Sequence, residues 1–125
     1  MYRTSRDYRL AGLIVLLIGV ASAAAAQMTV AQLHAEKDAL KGKTVTITGE
    51  VTRVTNNVMS RNFLHLRDGT GKEGSDDVTV TSQQTAQVGD KITVTGTLGV
   101  DRDFGSGYTY PVIIEQATIS KPVQQ

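Results

Sequence analysis

The residues with the clearest chemical use are an aromatic ring set between cations. Arg61-Asn62-Phe63-Leu64-His65-Leu66-Arg67 alternates, so an extended strand would project Arg61, Phe63, His65 and Arg67 from one side and Leu64 and Leu66 from the other. A ring flanked by guanidinium groups can stack on a base or another planar group while the cations meet phosphate. Tyr108 and Tyr110 share a face by the same spacing and would add a second platform. Asn57, Asp103 and Phe104 lie in the turn-forming stretches that would border such a groove. Asn57, Arg61, Asn62, Phe63, His65, Arg67, Asp103, Phe104, Tyr108 and Tyr110 are therefore the candidate ligand-binding residues. Arg53 is a further cation whose face the spacing leaves open.

The same side chains have plainer uses. Phe63 and Phe104 can fill the end of a small β domain, and the tyrosines can pack with their hydroxyls bonded to backbone. Asp68-Gly69-Thr70-Gly71 reads as a turn whose Asp68 bonds loop amides, since no lysine follows at the spacing of a phosphate-binding loop. Gly105 and Gly107 suit a tight loop with positive φ. His65 and Met59 would approach each other if the strand bent back over the preceding loop, and His34 and Met28 are further soft or borderline ligands. No HxH, HxxxH or methionine cluster supports them, so no metal is assigned. No Ser-x-x-Lys, Gly-x-Ser-x-Gly or paired-histidine motif occurs, and nothing orients Glu50 and Glu115 as an acid/base pair. The expectation is a non-enzymatic protein without a cofactor.

The elements that must position these residues begin after a leader. Arg3, Arg6 and Arg9 precede an apolar run from Leu10 to Ala21 and then the small residues ASAAAAQ, the layout of a secretory signal peptide spanning residues 1–26. The cut is expected after Ala26, which places the mature protein in the periplasm. The 125-residue chain has a formal charge of +1. Removing the leader takes away three arginines and one aspartate, so the remainder carries −1. A general single-strand binder needs a positive groove because phosphate contacts dominate its affinity. Here Asp101 and Asp103 sit beside the expected groove with only Arg102 between them. The absence of cysteine excludes disulfides, thiolate metal sites and a lipidated N-terminal cysteine.

Thr29 and Gln32 have the spacing of a capping box, and Val30, Leu33 and Leu40 recur at helical intervals before Gly42. One short helix is expected within residues 27–42. After residue 26, 32 of 99 residues are Thr, Val or Ile, which favours strands. Inward positions are read at Val45, Ile47, Gly49 and Val51; Leu64 and Leu66; Val78 and Val80; Ile92, Val94, Gly96 and Leu98; and in the segment from Tyr110 to Ile119. The step breaks between Val51 and Val54, as a bulge requires. Turns are expected at 55–57 and 88–90, a ten-residue loop at 68–77, and a longer loop at 101–107. Five short strands, the first long and bent, predict an all-β, five-stranded OB-fold Greek-key barrel over residues 43–120, with a tail at 121–125.

The segments GKTVTITGEV, RNFLHLRDGTG, VGDKITVTGTL and DFGSGYTYPVIIEQA, together spanning most of residues 30–120, resemble the small secreted bacterial OB-fold proteins labelled nucleotide- or DNA-binding. They are also similar to the accessory proteins of periplasmic nitrite-reductase cytochromes. Those relatives commonly have Trp where this chain has Phe63. The resemblance implies a binding protein whose partner is a periplasmic protein, by family likeness one of a cytochrome system, or else a nucleotide or single-stranded nucleic acid.

Overall fold

The computed structural model describes residues 25–121. Most of the expected leader and of the expected tail lies outside them. Ala26 and Gln27, on either side of the expected cleavage bond, form a two-residue strand β1. There follow α1 (Val30–Ala35), α2 (Lys37–Leu40), β2 (Thr44–Val58), β3 (Arg61–Arg67), β4 (Val78–Ser82), β5 (Lys91–Asp103) and β6 (Thr109–Ser120). The domain is mostly β-sheet, and no described helix is long and apolar enough to cross a membrane.

The sheet runs β1-β2-β3-β4-β6-β5, and β5 pairs in turn with β2. β2 is long enough to serve two neighbours. Residues 44–50 pair antiparallel with β5, and residues 50–58 pair antiparallel with β3. The register shifts between Val51 and Arg53, where the sequence alternation breaks. β4 and β6 are parallel, and the remaining main pairs are antiparallel apart from the short parallel β1–β2 contact.

Every predicted inward position from Val45 to Leu98 is buried. The apolar ones join a core completed by Val30 and Leu33 of α1 and by Val112, Ile114, Ala117 and Ile119 of β6. β6 changes phase between Ile114 and Ala117. Gln116 takes φ +53 there, and the β5–β6 register slips between Thr95 and Thr97. The slip keeps apolar side chains inward on both sides of the irregularity.

Three expectations are corrected. The single helix is split at Glu36, whose φ of −112° and ψ of 22° leave the helical region. The segment is tied at both ends: Thr29 caps α1, and soon after α2 the Gly42 N–H donates to Leu98 O at 2.8 Å, drawing the chain into β5. The turn placed at 55–57 is strand, because bulges let β2 continue to Val58 and move the turn to Met59–Ser60. Likewise, residues 101–103 remain in β5, with Arg102 and Asp103 paired to Tyr110 and Thr109, shortening the expected loop to residues 104–108.

The ten-residue loop is where expected, and Asp68 does more than brace it. One carboxylate oxygen accepts from Thr70 N–H at 3.0 Å, while the other accepts from Val30 N–H at 2.9 Å. Thr70 Oγ1 accepts from Ala31 N–H at 2.9 Å. Loop 68–77 thus satisfies the free amides that begin α1 and holds Val30 and Leu33 over the core. Partial burial pushes the Asp68 pKa upward, but hydrogen bonds from the Thr70 hydroxyl and the Val30 and Thr70 amides outweigh it and hold the pKa below its ordinary 3.8. A carboxyl with a depressed folded pKa contributes stability above its unfolded pKa and loses it as pH falls through the folded value. Asp68→Ala should therefore cost about 1–2 kcal/mol at pH 7 in urea denaturation. The difference from wild type should shrink below about pH 4. An undiminished difference at pH 2.5 would show that the carboxylate is not the latch.

Candidate functional site

β3 places Phe63 on the side opposite Leu64 and Leu66, as the alternation requires, but the ring is only 5% exposed. Its neighbours across the ladder are Thr55 of β2 and Thr81 of β4. The β5–β6 hairpin brings two more rings onto it. Phe104 meets Phe63 edge-on at a centroid distance of 5.7 Å, Tyr110 lies at 5.9 Å, and Phe104 and Tyr110 are 6.0 Å apart. The three rings form a small cluster on the outer side of the sheet. Phe63 is consequently the base of the cluster, and the expectation that it offers a stacking face is corrected. Thr79 and Thr81 of β4, which pair with His65 and Phe63, are also buried although alternation predicts a wet face for them.

Two cations frame the cluster. The guanidinium carbons of Arg61 and Arg102 lie 5.1 and 4.4 Å from the Phe104 ring centroid. Arg61 Nε donates to Met59 O at 3.2 Å, and Arg102 Nε pairs with Glu115 at 3.0 Å. Partial burial, and then the adjacent Tyr108 phenol, raise the Tyr110 pKa above 10.0, while Arg53 opposes the shift. Arg53 pairs across the ladder with His65, which answers the question of its face: it shares the outer side with His65. Tyr108 is 45% exposed and Met59 is 40% exposed. The result is a surface with exposed Tyr108 and Met59, half-covered Phe104 and Tyr110, and the cations Arg61 and Arg102.

The other candidates fall elsewhere. Asn62 is a brace: its Oδ1 accepts from Asn57 N–H at 3.0 Å and its Nδ2 donates to Gln84 O at 3.1 Å. Asn57 has φ +61 at the irregular end of β2. Asp103 accepts from Gly105 N–H at 2.7 Å and thereby shapes the hairpin turn, in which Gly105 and Gly107 have the expected positive φ. His65 and Arg67, at the far end of β3, bond to the 68–77 loop: His65 Nδ1 to Asp77 at 3.1 Å and Arg67 to Asp76 at 3.6 Å. His34 Nε2 meets Asp77 O at 2.8 Å. Both histidines converge on Asp77. β3 does not bend back over the preceding turn, so Met59 in that turn and His65 along the extended strand stay apart. Among the described residues no cluster of three or more His, Asp or Glu side chains is arranged to hold a metal ion.

A cleft of about 420 Å³ opens beside the aromatic cluster. Thr81, Ser82 and Ala117 line it together with Arg61, Gln83, Gln84, Arg102 and Glu115. Arg102, Met59 and Thr81 were absent from the sequence-derived set. Arg102 carries a readable signal, a cation two positions from Phe104, whereas the role of Thr81 depends on which strands cover it.

No family model matches the chain, and no curated protein matches it. The domain is similar to a crystal structure from Leishmania major Friedlin provisionally described as an aspartyl-tRNA synthetase, with a TM-score of 0.57 and 18% identity. The match covers 78% of this chain and 21% of that one, so this chain corresponds to about a fifth of the other's length. At that identity the likeness is one of fold.

Proposed function

We propose that this chain is a periplasmic OB-fold binding protein without catalytic activity. It engages a protein partner through the surface around Tyr108. The return of the strand pairing from β5 to β2 supports a five-stranded barrel, with β1 as an added edge strand. The similarity in fold to the Leishmania structure supports the same reading. The observation that carries the binding surface is the placement of Tyr108 and Met59. They are two of the three exposed large hydrophobic residues among those described, and both flank the Arg61–Phe104 contact. Aromatic side chains, Met and Arg gathered at the surface are the composition of an interface centre. The guanidinium groups already against Phe104 favour a protein partner over bases stacking there. The resemblance to cytochrome-associated accessory proteins makes a periplasmic redox protein the first partner to test.

Immobilised wild type, Tyr108→Ser and Val88→Ser proteins provide the test, since Val88 is the remaining exposed large hydrophobic residue and lies in the β4–β5 connection. The same periplasmic protein should be retained by wild type and Val88→Ser, with affinity for Tyr108→Ser down about tenfold or more. Equal retention by all three would reject the surface.

A second reading, a nucleotide or short single strand, is favoured by Arg53 sharing the outer side with His65. It requires saturable, salt-weakened binding of a fluorescent oligonucleotide. No binding at low salt removes it.

A further inference from the structure

The cleft beside the aromatic cluster contains a buried polar group without a partner. Thr81 is 2% exposed and lies in the cleft lining. No hydrogen bond from its hydroxyl is present among the described residues, whereas neighbouring Ser82 Oγ donates to Ala117 O at 2.6 Å and accepts from Gln84 N–H at 3.0 Å. Buried hydroxyls are normally satisfied, because an unpaired one gives up its water without recompense. Arg61 and Arg102 line the same cleft. Arg102 is paired with Glu115, while Arg61 has no carboxylate partner among the described residues. Two guanidinium groups against one carboxylate leave a local positive charge in a domain whose net charge after the leader is negative.

We propose that this cleft is a carboxylate subsite, filled by the C-terminal carboxylate of the partner. The proposal rests on the partner-binding reading and adds the chemistry that the partner must present. The carboxylate accepts from Arg61, from the outer nitrogens of Arg102, and from the Thr81 hydroxyl. Glu115 holds Arg102 at the cleft wall. Charge-assisted bonds of this kind, with a planar guanidinium facing a planar carboxylate, give orientation as well as affinity.

The test uses the domain without its leader and the probe N-acetyl-tyrosine, compared with N-acetyl-tyrosinamide and inorganic phosphate. The acid should shift the backbone amide resonances of Thr81, Ser82 and Gln83 saturably, and the amide should not. Arg61→Gln should weaken the acid at least fivefold. Thr81→Val should weaken it several-fold while Tm stays the same or rises, since the lost hydroxyl bonds nothing inside the domain. Equal shifts with acid and amide, unchanged binding by Thr81→Val, or a lowered Tm in that variant would overturn the proposal. So would tighter binding of phosphate at the same residues. Acid binding that persists without Tyr108-dependent capture would keep the subsite and reject the partner surface. Tyr108-dependent capture without acid binding would do the reverse.

Discussion

Phe63→Ala is expected to lower the stability of the domain by about 3–5 kcal/mol, the cost of removing a large ring from a packed environment. Domains of this size retain only about 5–15 kcal/mol in total, so the variant should be close to unfolding at 37 °C. The ring is 5% exposed, and its contacts with Phe104 and Tyr110 are what hold the β5–β6 hairpin against β3. Removing it leaves a cavity beneath both rings and releases the tip that carries Tyr108. Loss of binding in Phe63→Ala would therefore report collapse of the support and could not be taken as loss of a ligand contact. Phe63→Leu, which refills much of the volume, should cost less than half as much. Urea denaturation of the two variants checks both. A loss below about 1 kcal/mol for Phe63→Ala would show that the cluster is dispensable, contrary to the packing.

Gly96→Ala should cost about 2–3 kcal/mol, as overpacking against a rigid neighbour does. A β-carbon on Gly96 would stand 2.7 Å from Glu115 O, 2.8 Å from Ile114 Cγ2 and 3.1 Å from Ala117 Cα. Two of those atoms are backbone, and they belong to the stretch where Gln116 bulges at φ +53. The new methyl has no flexible side chain to push aside and must move β6 relative to β5, disturbing the ladder that carries Arg102 and Glu115 into the cleft. Gly42→Ala is the comparison. Nothing lies within 4 Å of its β-carbon position, so only its φ of +81° is at issue. That variant should lose about 1 kcal/mol. Thermal unfolding monitored by circular dichroism ranks them, and Gly96→Ala melting with wild type would show that β5 and β6 do not approach this closely.

The two predictions differ in how far the sequence alone foretells them. Gly96 occupies an inward position in a run of β-branched residues, and a glycine there already signals a close backbone approach. The capping box of Thr29 and Gln32, the bulge after Val51 and the ten-residue loop were equally legible, because each depends on residues a few positions apart. Phe63 was not legible in that way. Alternation assigns it to the outer side, and period-2 spacing cannot say whether anything covers that side. The cover arrives from Phe104 and Tyr110, about forty residues later in the chain.

The candidate site divides along the same line. The sequence alone determined which residues face inward, where α1 begins, and which side of β3 holds the ring and its cations. Those follow from local backbone geometry and the periodicity of apolar residues. Only the tertiary structure decided that Arg61 and Arg102 meet at Phe104, that Asn62 and Asp103 are braces, that both histidines bond to Asp77, and that Thr81 is buried beside an open cleft. The Asp103 brace alone is local to its turn. Asn62 reaches Gln84 across the sheet, and the Arg61–Phe104 contact and the histidine bonds require the β5–β6 hairpin or the 68–77 loop to lie against distant strands. That closure is governed by non-local packing, to which the spacing of neighbouring residues is blind.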